Sequence, residues 1–407
     1  MSTQLATTEV EAFLDQLWRV WGRTPHLFRR PFSTPLATAA DYWEVLLGWA
    51  REVRAGRRFA SPRWIENGLL PEEGDGGVEA FCARVDARHK GDWYLYQADG
   101  VQQLHPPIWH RLIELVRPIL AHEGGLPPGG NMLDLFLGRY DRTPTGIHRD
   151  EGEVLAFVTL GPKRLHFWPR ETFRTPWAAP ERTHFQTGIW SYEKHLDRAI
   201  TLEAEAGDVI YWPRSFLHLG AAPDHWAGMV TLTMWWQASA QRAVRYMVDS
   251  LWRGSGDPVE YPLDLARLAA GARALPPALR AAAEGARARL ETGWEDALAE
   301  AWARLATGYG FTTPPGRSRL RVSATGRYEI RHPVALVDLA GAPAIFACGH
   351  RVATLPESAR ALGRELETLA PGAVADTGRL AVTAGASPEA VEALLAALTA
   401  HGAAVAL

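Results

Sequence analysis

Between residues 132 and 236 the chain is cut into short runs rich in aromatic and β-branched residues, and this pattern restricts the fold more than any other feature. The runs are 132–140 (MLDLFLGRY), 154–160 (VLAFVTL), 163–168 (KRLHFW), 198–203 (RAITLE), 208–212 (DVIYW) and 229–236 (MVTLTMWW), divided by Gly, Pro and Asp. Such spacing suits an antiparallel barrel or jelly roll, because a parallel sheet needs a helix between successive strands. A further strand-like piece, DWYLY at 92–96, comes first. Between it and the barrel, PPIWHRLIELVRPIL at 106–120 carries apolar residues at helical spacing and stops at a Gly/Pro loop, 124–130.

The flanks differ in character. Residues 1–85 read as a cap of helix and loop, with Leu17, Trp18, Val20 and Trp21 forming an apolar stripe and Pro25, Pro31 and Pro35 interrupting the next segment. The barrel is expected over 86–240. Residues 241–307 shift to Ala, Arg, Leu and Glu, which favours helices with an apolar face. After the junction GYGFTTPPG, residues 308–407 offer the strand-like pieces RVSATGRYEI and HPVALVDL, then two helices, then AAVAL. That order suggests a winged-helix-like α+β unit. Its last helix is well marked: Ser387 as N-cap, Pro388 at the first helical position, Glu389 in the first turn, and Gly402 at the stop.

With 407 residues, 47% of them hydrophobic, the chain has material for one large core and two or three domains. A net charge of −3 argues against an overall nucleic-acid surface. No apolar stretch is long enough to cross a membrane, and Glu9, Glu11 and Asp15 break up any signal-peptide core, so a cytoplasmic location is expected. Cys82 and Cys348 are too few for a disulfide framework and read as reduced core thiols.

The chemistry concentrates in TGIHRDEGE. His148 and Asp150 stand two residues apart at the start of a strand, so alternation puts both side chains on one face. A second imidazole from a distant strand would complete the two-His, one-carboxylate triad that suits Fe(II) and leaves positions open for substrate and oxygen. His218 is the natural third ligand, in EAGDVIYWPRSFLHLG, where the Gly207–Asp208 turn and a Pro-containing bend set its approach. His166, His184 and His195 fall in or near a loop expected to cover the site, and Cys348 with His350 lacks partners at zinc spacing.

With Thr145 before His148, Lys163 after Asp150 and the GDVIYWP turn, residues 90–240 resemble the JmjC-type, cupin-like protein hydroxylases, among them the hypoxia-pathway asparaginyl hydroxylase and the ribosomal oxygenases. The resemblance implies a double-stranded β-helix and an Fe(II)- and 2-oxoglutarate-dependent oxygenase that consumes molecular oxygen. It implies that His148, Asp150 and His218 bind iron, and that Lys163 pairs with the distal carboxylate of 2-oxoglutarate, assisted by Thr145 and Tyr94. Thr233 and Val154 stand where the asparaginyl hydroxylase has Asn residues, which thins the polar shell around the oxoacid.

Tyr96, Trp177, Trp190 and Tyr192 are candidate substrate contacts. The implied reaction is hydroxylation of a side chain in a protein or peptide, either a ribosomal protein or the precursor of a ribosomally made natural product. A small-molecule tailoring oxygenase would use the same triad, and a non-catalytic cupin-like binding protein would need none of it. Arg317, Arg319, Arg321, Arg327 and Arg331 form a basic stretch read as a solvated strand face, with an acidic peptide or RNA as its functional alternative.

Overall fold

A computed structural model describes residues 5–55, 69–72, 74–89, 91–97, 99–173, 184–186, 191–236, 277–317 and 326–407. Helix α1 (Thr7–Val20) leads to a short strand β1 (His26–Phe28), then α2 (Ala39–Arg54) and α3 (Val78–Arg88). Thr38 opens α2 with a reciprocal capping box: its Oγ1 accepts from the Asp41 amide, and the Asp41 carboxylate accepts from the Thr38 amide. Strand β2 (Trp93–Gln97), a single turn α4 (Val101–Leu104) and helix α5 (Pro106–Glu123) come next. Each large apolar side chain that α5 buries, such as Trp109, Leu112 and Ile119, contributes about 1.5–3 kcal/mol relative to exposure.

The barrel strands are β3 (Asn131–Tyr140), β4 (His148–Asp150), β5 (Glu153–Leu160), β6 (Lys163–Pro169), β7 (His184–Gln186), β8 (Ile200–Ala204), β9 (Val209–Trp212) and β10 (Phe216–Met234). All pair antiparallel. The major sheet runs β1-β9-β5-β10-β3-β2, and a minor sheet is built from β4, β6, β7, β8 and the first part of β10. This is the expected double-stranded β-helix. Strand β5 is buried along its whole length, since helices cover its outer face and the barrel interior its inner one, which explains an unbroken apolar run where a half-exposed strand would alternate.

Two elements differ from expectation here. The cap contributes β1 to the major sheet, a strand of three residues that periodicity cannot register. The strand expected at 229–236 begins at Phe216, so His218, which follows the Pro-containing bend as expected, lies within β10 itself.

Helix α6 (Pro277–Thr307) precedes β11 (Arg327–Ile330), β12 (Val334–Asp338), β13 (Pro343–Ala347), β14 (His350–Thr354), α7 (Arg360–Glu367), β15 (Val374–Asp376), α8 (Thr377–Ala384), α9 (Pro388–Ala400) and β16 (Ala404–Ala406). Three helices and two three-stranded sheets, β15-β11-β16 and β12-β13-β14, thus stand where two helices and fewer strands were expected. The missed β13–β14 hairpin turns on Cys348 and Gly349, both at positive φ (50° and 75°). Such two-residue turns usually announce themselves as Asn-Gly or Asp-Gly, and a cysteine in the left-handed region gives no such cue. The start of α9 is as expected, with Ser387 Oγ accepting from the Ala390 amide.

Cys82 and Cys348 are free and buried. Among the described residues no single helix is long and apolar enough to cross a membrane. Arg319, Arg321 and the part of the expected helical region before residue 277 lie outside the described residues.

Candidate metal centre

Strand alternation sorts the minor sheet into two faces. His218, Gly220, Lys163, Leu165 and Phe167 point into the barrel, while Leu217, Leu219 and Trp168 pack outside with Ile147 and Tyr192. His218 pairs directly with His148 on β4. Their ring centroids are 4.2 Å apart, and His218 Nε2 lies 3.6 Å from Asp150 Oδ2. One donor atom from each of His148, Asp150 and His218 falls within 4.8 Å of the others, and among the described residues this is the one cluster of three such groups.

The surroundings fit a metal. His148 Nδ1–H donates to the Gly146 carbonyl at 2.9 Å, with Thr145 Oγ1 at 3.1 Å from the same nitrogen. An imidazole held by Nδ1 presents Nε2 as a ligand in a fixed orientation. Gly146, at φ +64°, closes the turn by donating its amide to Thr143 O. His218 is walled by Trp212, ring centroids 5.0 Å apart, and by Phe167 at 6.3 Å. The turn into β9 is pinned from below: buried Asp208 accepts from Arg29 Nη1 at 2.7 Å and from the amides of Arg30 and Glu205. Two imidazoles and one carboxylate make a mixed N/O donor set suited to Fe(II).

Lys163 is buried, and the described residue that meets its ammonium is Tyr140, whose hydroxyl bonds Nζ and whose ring centroid lies 4.2 Å from it. No carboxylate of the described residues forms an ion pair with it. Burial pushes its pKa down to about 7. A cationic group held this way needs an anion to be charged at neutral pH.

The other expected site residues are spread over both sheets. Tyr94, on β2, sets its ring edge-to-face on Tyr140, centroids 5.0 Å apart. Thr233 is buried on the inner face of the major sheet, opposite Val154 and Met132. Tyr96 stacks on Phe136, and its hydroxyl is 3.4 Å from Asp134. Tyr192 packs on the outer face of the minor sheet and reaches Asp141. Trp177 and Trp190 lie outside the described residues.

Sequence reasoning passed over Tyr140 and Asp134. Both belong to the run MLDLFLGRY, and alternation from Leu133, Leu135 and Leu137, which face the helices, would have turned them inward. Asp134 accepts the Asp99 amide at 2.7 Å, and burial raises its pKa to about 8, with the nearby carboxylates of Asp99 and Asp150 adding to the rise.

No family model matches the sequence, and no curated protein does. Solved structures do resemble it. Escherichia coli YcfD aligns over 100% of both chains with 16% identity and a TM-score of 0.50. A structure of YcfD, described as a ribosomal oxygenase in complex with cobalt and 2-oxoglutarate, aligns over 97% of both chains at 16% identity and a TM-score of 0.47. The epimerase SnoN, in complex with Fe3+, alpha-ketoglutarate and nogalamycin RO, covers 55% of this chain and 83% of its own at 16% identity and a TM-score of 0.31. The barrel therefore shares the fold of YcfD, a double-stranded β-helix, and carries a His–Asp–His donor set.

Proposed function

We propose that the protein is an Fe(II)- and 2-oxoglutarate-dependent oxygenase that hydroxylates a side chain of a protein or peptide. The observation that carries this reading is the joint placement of the triad and a buried lysine on one inner face of the barrel. His148, Asp150 and His218 would hold the iron, which supplies the oxidising chemistry once the oxoacid and oxygen are bound. Lys163 would take the distal carboxylate of 2-oxoglutarate, becoming fully protonated as it does so. Tyr140 orients the ammonium through its hydroxyl and ring. Trp212 and Phe167 exclude water from the side of His218.

A non-catalytic scaffold has no use for a buried lysine beside an intact triad. The peptide substrate class rests on analogy of fold with YcfD, a ribosomal oxygenase, and on Asp134. That carboxyl, largely protonated near neutral pH with its pKa at about 8, would give up its proton to meet a cationic side chain laid along Tyr96 and Phe136. Further proposals are that 86–240 is the catalytic unit, that 241–307 dimerises, that 308–407 is a winged-helix-like unit engaging the substrate, and that the protein works in the cytoplasm.

The test is anaerobic addition of 2-oxoglutarate to the Fe(II)-loaded protein, read by its metal-to-ligand charge-transfer absorbance, then aerobic incubation with basic peptides and mass spectrometry. A band that vanishes in His148→Ala, together with a peptide gaining one oxygen atom, is the expected result. A wild-type protein that binds iron but shows no band with the oxoacid would sink the reading.

A further inference from the structure

Two features beside Lys163 are left unexplained by the triad and the lysine. Thr143 is 6% exposed, and its Oγ1 finds no hydrogen-bond partner among the described residues. Buried hydroxyls are nearly always paired. Across from it, Gly220 lies in the interior of β10, where a glycine weakens a strand and commonly marks the close approach of a ligand. A Cβ at position 220 would stand 3.3 Å from each of Lys163 Nζ, Thr143 Cγ2 and Leu165 Cδ2. The point a side chain would occupy is therefore walled by the lysine ammonium and the threonine together. The two backbones are locked to each other there, the Thr143 amide donating to Gly220 O at 2.9 Å.

We propose that Thr143 donates the neutral hydrogen bond to the distal carboxylate beside Lys163, and that the missing side chain of Gly220 makes the room for that carboxylate, so that position 220 sets the length of oxoacid accepted. This rests on the oxygenase reading above. A distal carboxylate has room for such a donor: its two oxygens offer about four lone-pair sites, and the Lys163 ammonium, with one N–H on Tyr140, has two N–H groups left for them. Of the neighbouring hydroxyls, Tyr140 accepts from Lys163 and Thr145 lies against His148, whereas Thr143 Oγ1 has no hydrogen-bond partner among the described residues. A rotation about χ1 exchanges that Oγ1 with the methyl that now faces position 220.

The experiment titrates the full-length Fe(II)-loaded protein anaerobically with 2-oxoglutarate, with oxaloacetate, which is one methylene shorter, and with pyruvate, which has no distal carboxylate. Charge-transfer absorbance and calorimetry report binding independently of turnover. Thr143→Val is expected to weaken 2-oxoglutarate by about tenfold or more, as for a hydrogen bond to a charged group. Pyruvate affinity should not move, and Thr143→Ser should restore the wild-type value. Gly220→Ala should weaken 2-oxoglutarate and shift the preference toward oxaloacetate. The ends of side chains, rather than backbone, meet the added methyl, so the barrel is expected to fold.

If Thr143→Val and Gly220→Ala bind 2-oxoglutarate as tightly as wild type while Lys163→Ala does not, the proposed seat is wrong and the oxygenase reading stands. Equal losses for pyruvate and 2-oxoglutarate in Thr143→Val would make its role structural and overturn the proposal. Absence of oxoacid binding in the wild type would overturn both.

Discussion

His148 and His218 are direct cross-strand partners, the single register pair that joins β4 to β10, and Asp150 stands two residues after the first of them. The proposed metal ligands are thus fixed by sheet pairing rather than by loops, and their geometry is expected to persist without metal.

Removing a ligand and removing its support should separate cleanly. His148→Ala should lower Fe(II) affinity by more than the about 10–100-fold that loss of an outer partner costs. Thr145→Val should fall at the low end of that range, because the Gly146 carbonyl still holds Nδ1. At saturating iron, the Thr145→Val protein should bind 2-oxoglutarate normally. Metal titration and then oxoacid titration measure both.

Lys163 makes oxoacid binding pH-dependent. Its pKa in the ligand-free protein is about 7, so above that pH the dicarboxylate must recruit a proton, and affinity should fall about tenfold per pH unit. Calorimetry in buffers of different ionisation enthalpy should detect the proton taken up. Without ligand the sign reverses for stability: between about 7 and the ordinary lysine value of 10.5 the unfolded chain holds a proton that the folded one lacks, so this residue makes stability rise with pH. Lys163→Met should flatten both profiles.

Asp134 works in the opposite direction. Its pKa, raised to about 8, means that its protonated form favours the folded state and that this contribution is lost as pH climbs from about 4 through 8. Asp134→Asn should therefore stabilise the protein at pH 8 relative to wild type, in thermal melts, and should leave the charge-transfer band intact. Hydroxylation of a cationic peptide should slow.

Gly402, after α9, has φ +74°, and a Cβ there would lie 2.5 Å from the His110 ring of α5. Gly402→Ala should cost about 2–4 kcal/mol, combining the left-handed penalty with overpacking. Gly385→Ala, at φ +62° with open space around it, should cost only about 1–2 kcal/mol. Denaturant melts of both variants distinguish packing from backbone strain.

Much of this was legible in the chain. The alternating and continuous apolar runs located most barrel strands, and the two-residue spacing of His148 and Asp150 put them on one face, because both depend on local periodicity alone. Tyr140, Thr143 and Gly220 were not legible as a group. Tyr140 and Thr143 lie nearly eighty residues before Gly220, and what unites them is the pairing of β10 with β3, Ala222 opposite Tyr140, and a single backbone bond from residue 143 to residue 220. Asp134 was within reach of the same local periodicity, since alternation with Leu133, Leu135 and Leu137 turns it inward, but a lone carboxylate in an apolar run carries no sign of what it faces there. The Cys348–Gly349 hairpin was hidden for a different reason, an uncommon residue in a left-handed turn position.

Strand β10 belongs to both sheets, pairing with β6 through Phe216–Ala221 and with β3 and β5 through its second half. One continuous ribbon thus carries a metal ligand, the floor beneath the lysine and a wall of the main sheet. Insertion or deletion of a single residue near 218 would reverse the direction of every side chain beyond it, exchanging His218 and Gly220 for leucines and alanines. Evolution of this barrel toward new substrates is thereby steered away from its spine and onto the neighbouring strands and loops, which can change length without erasing the centre.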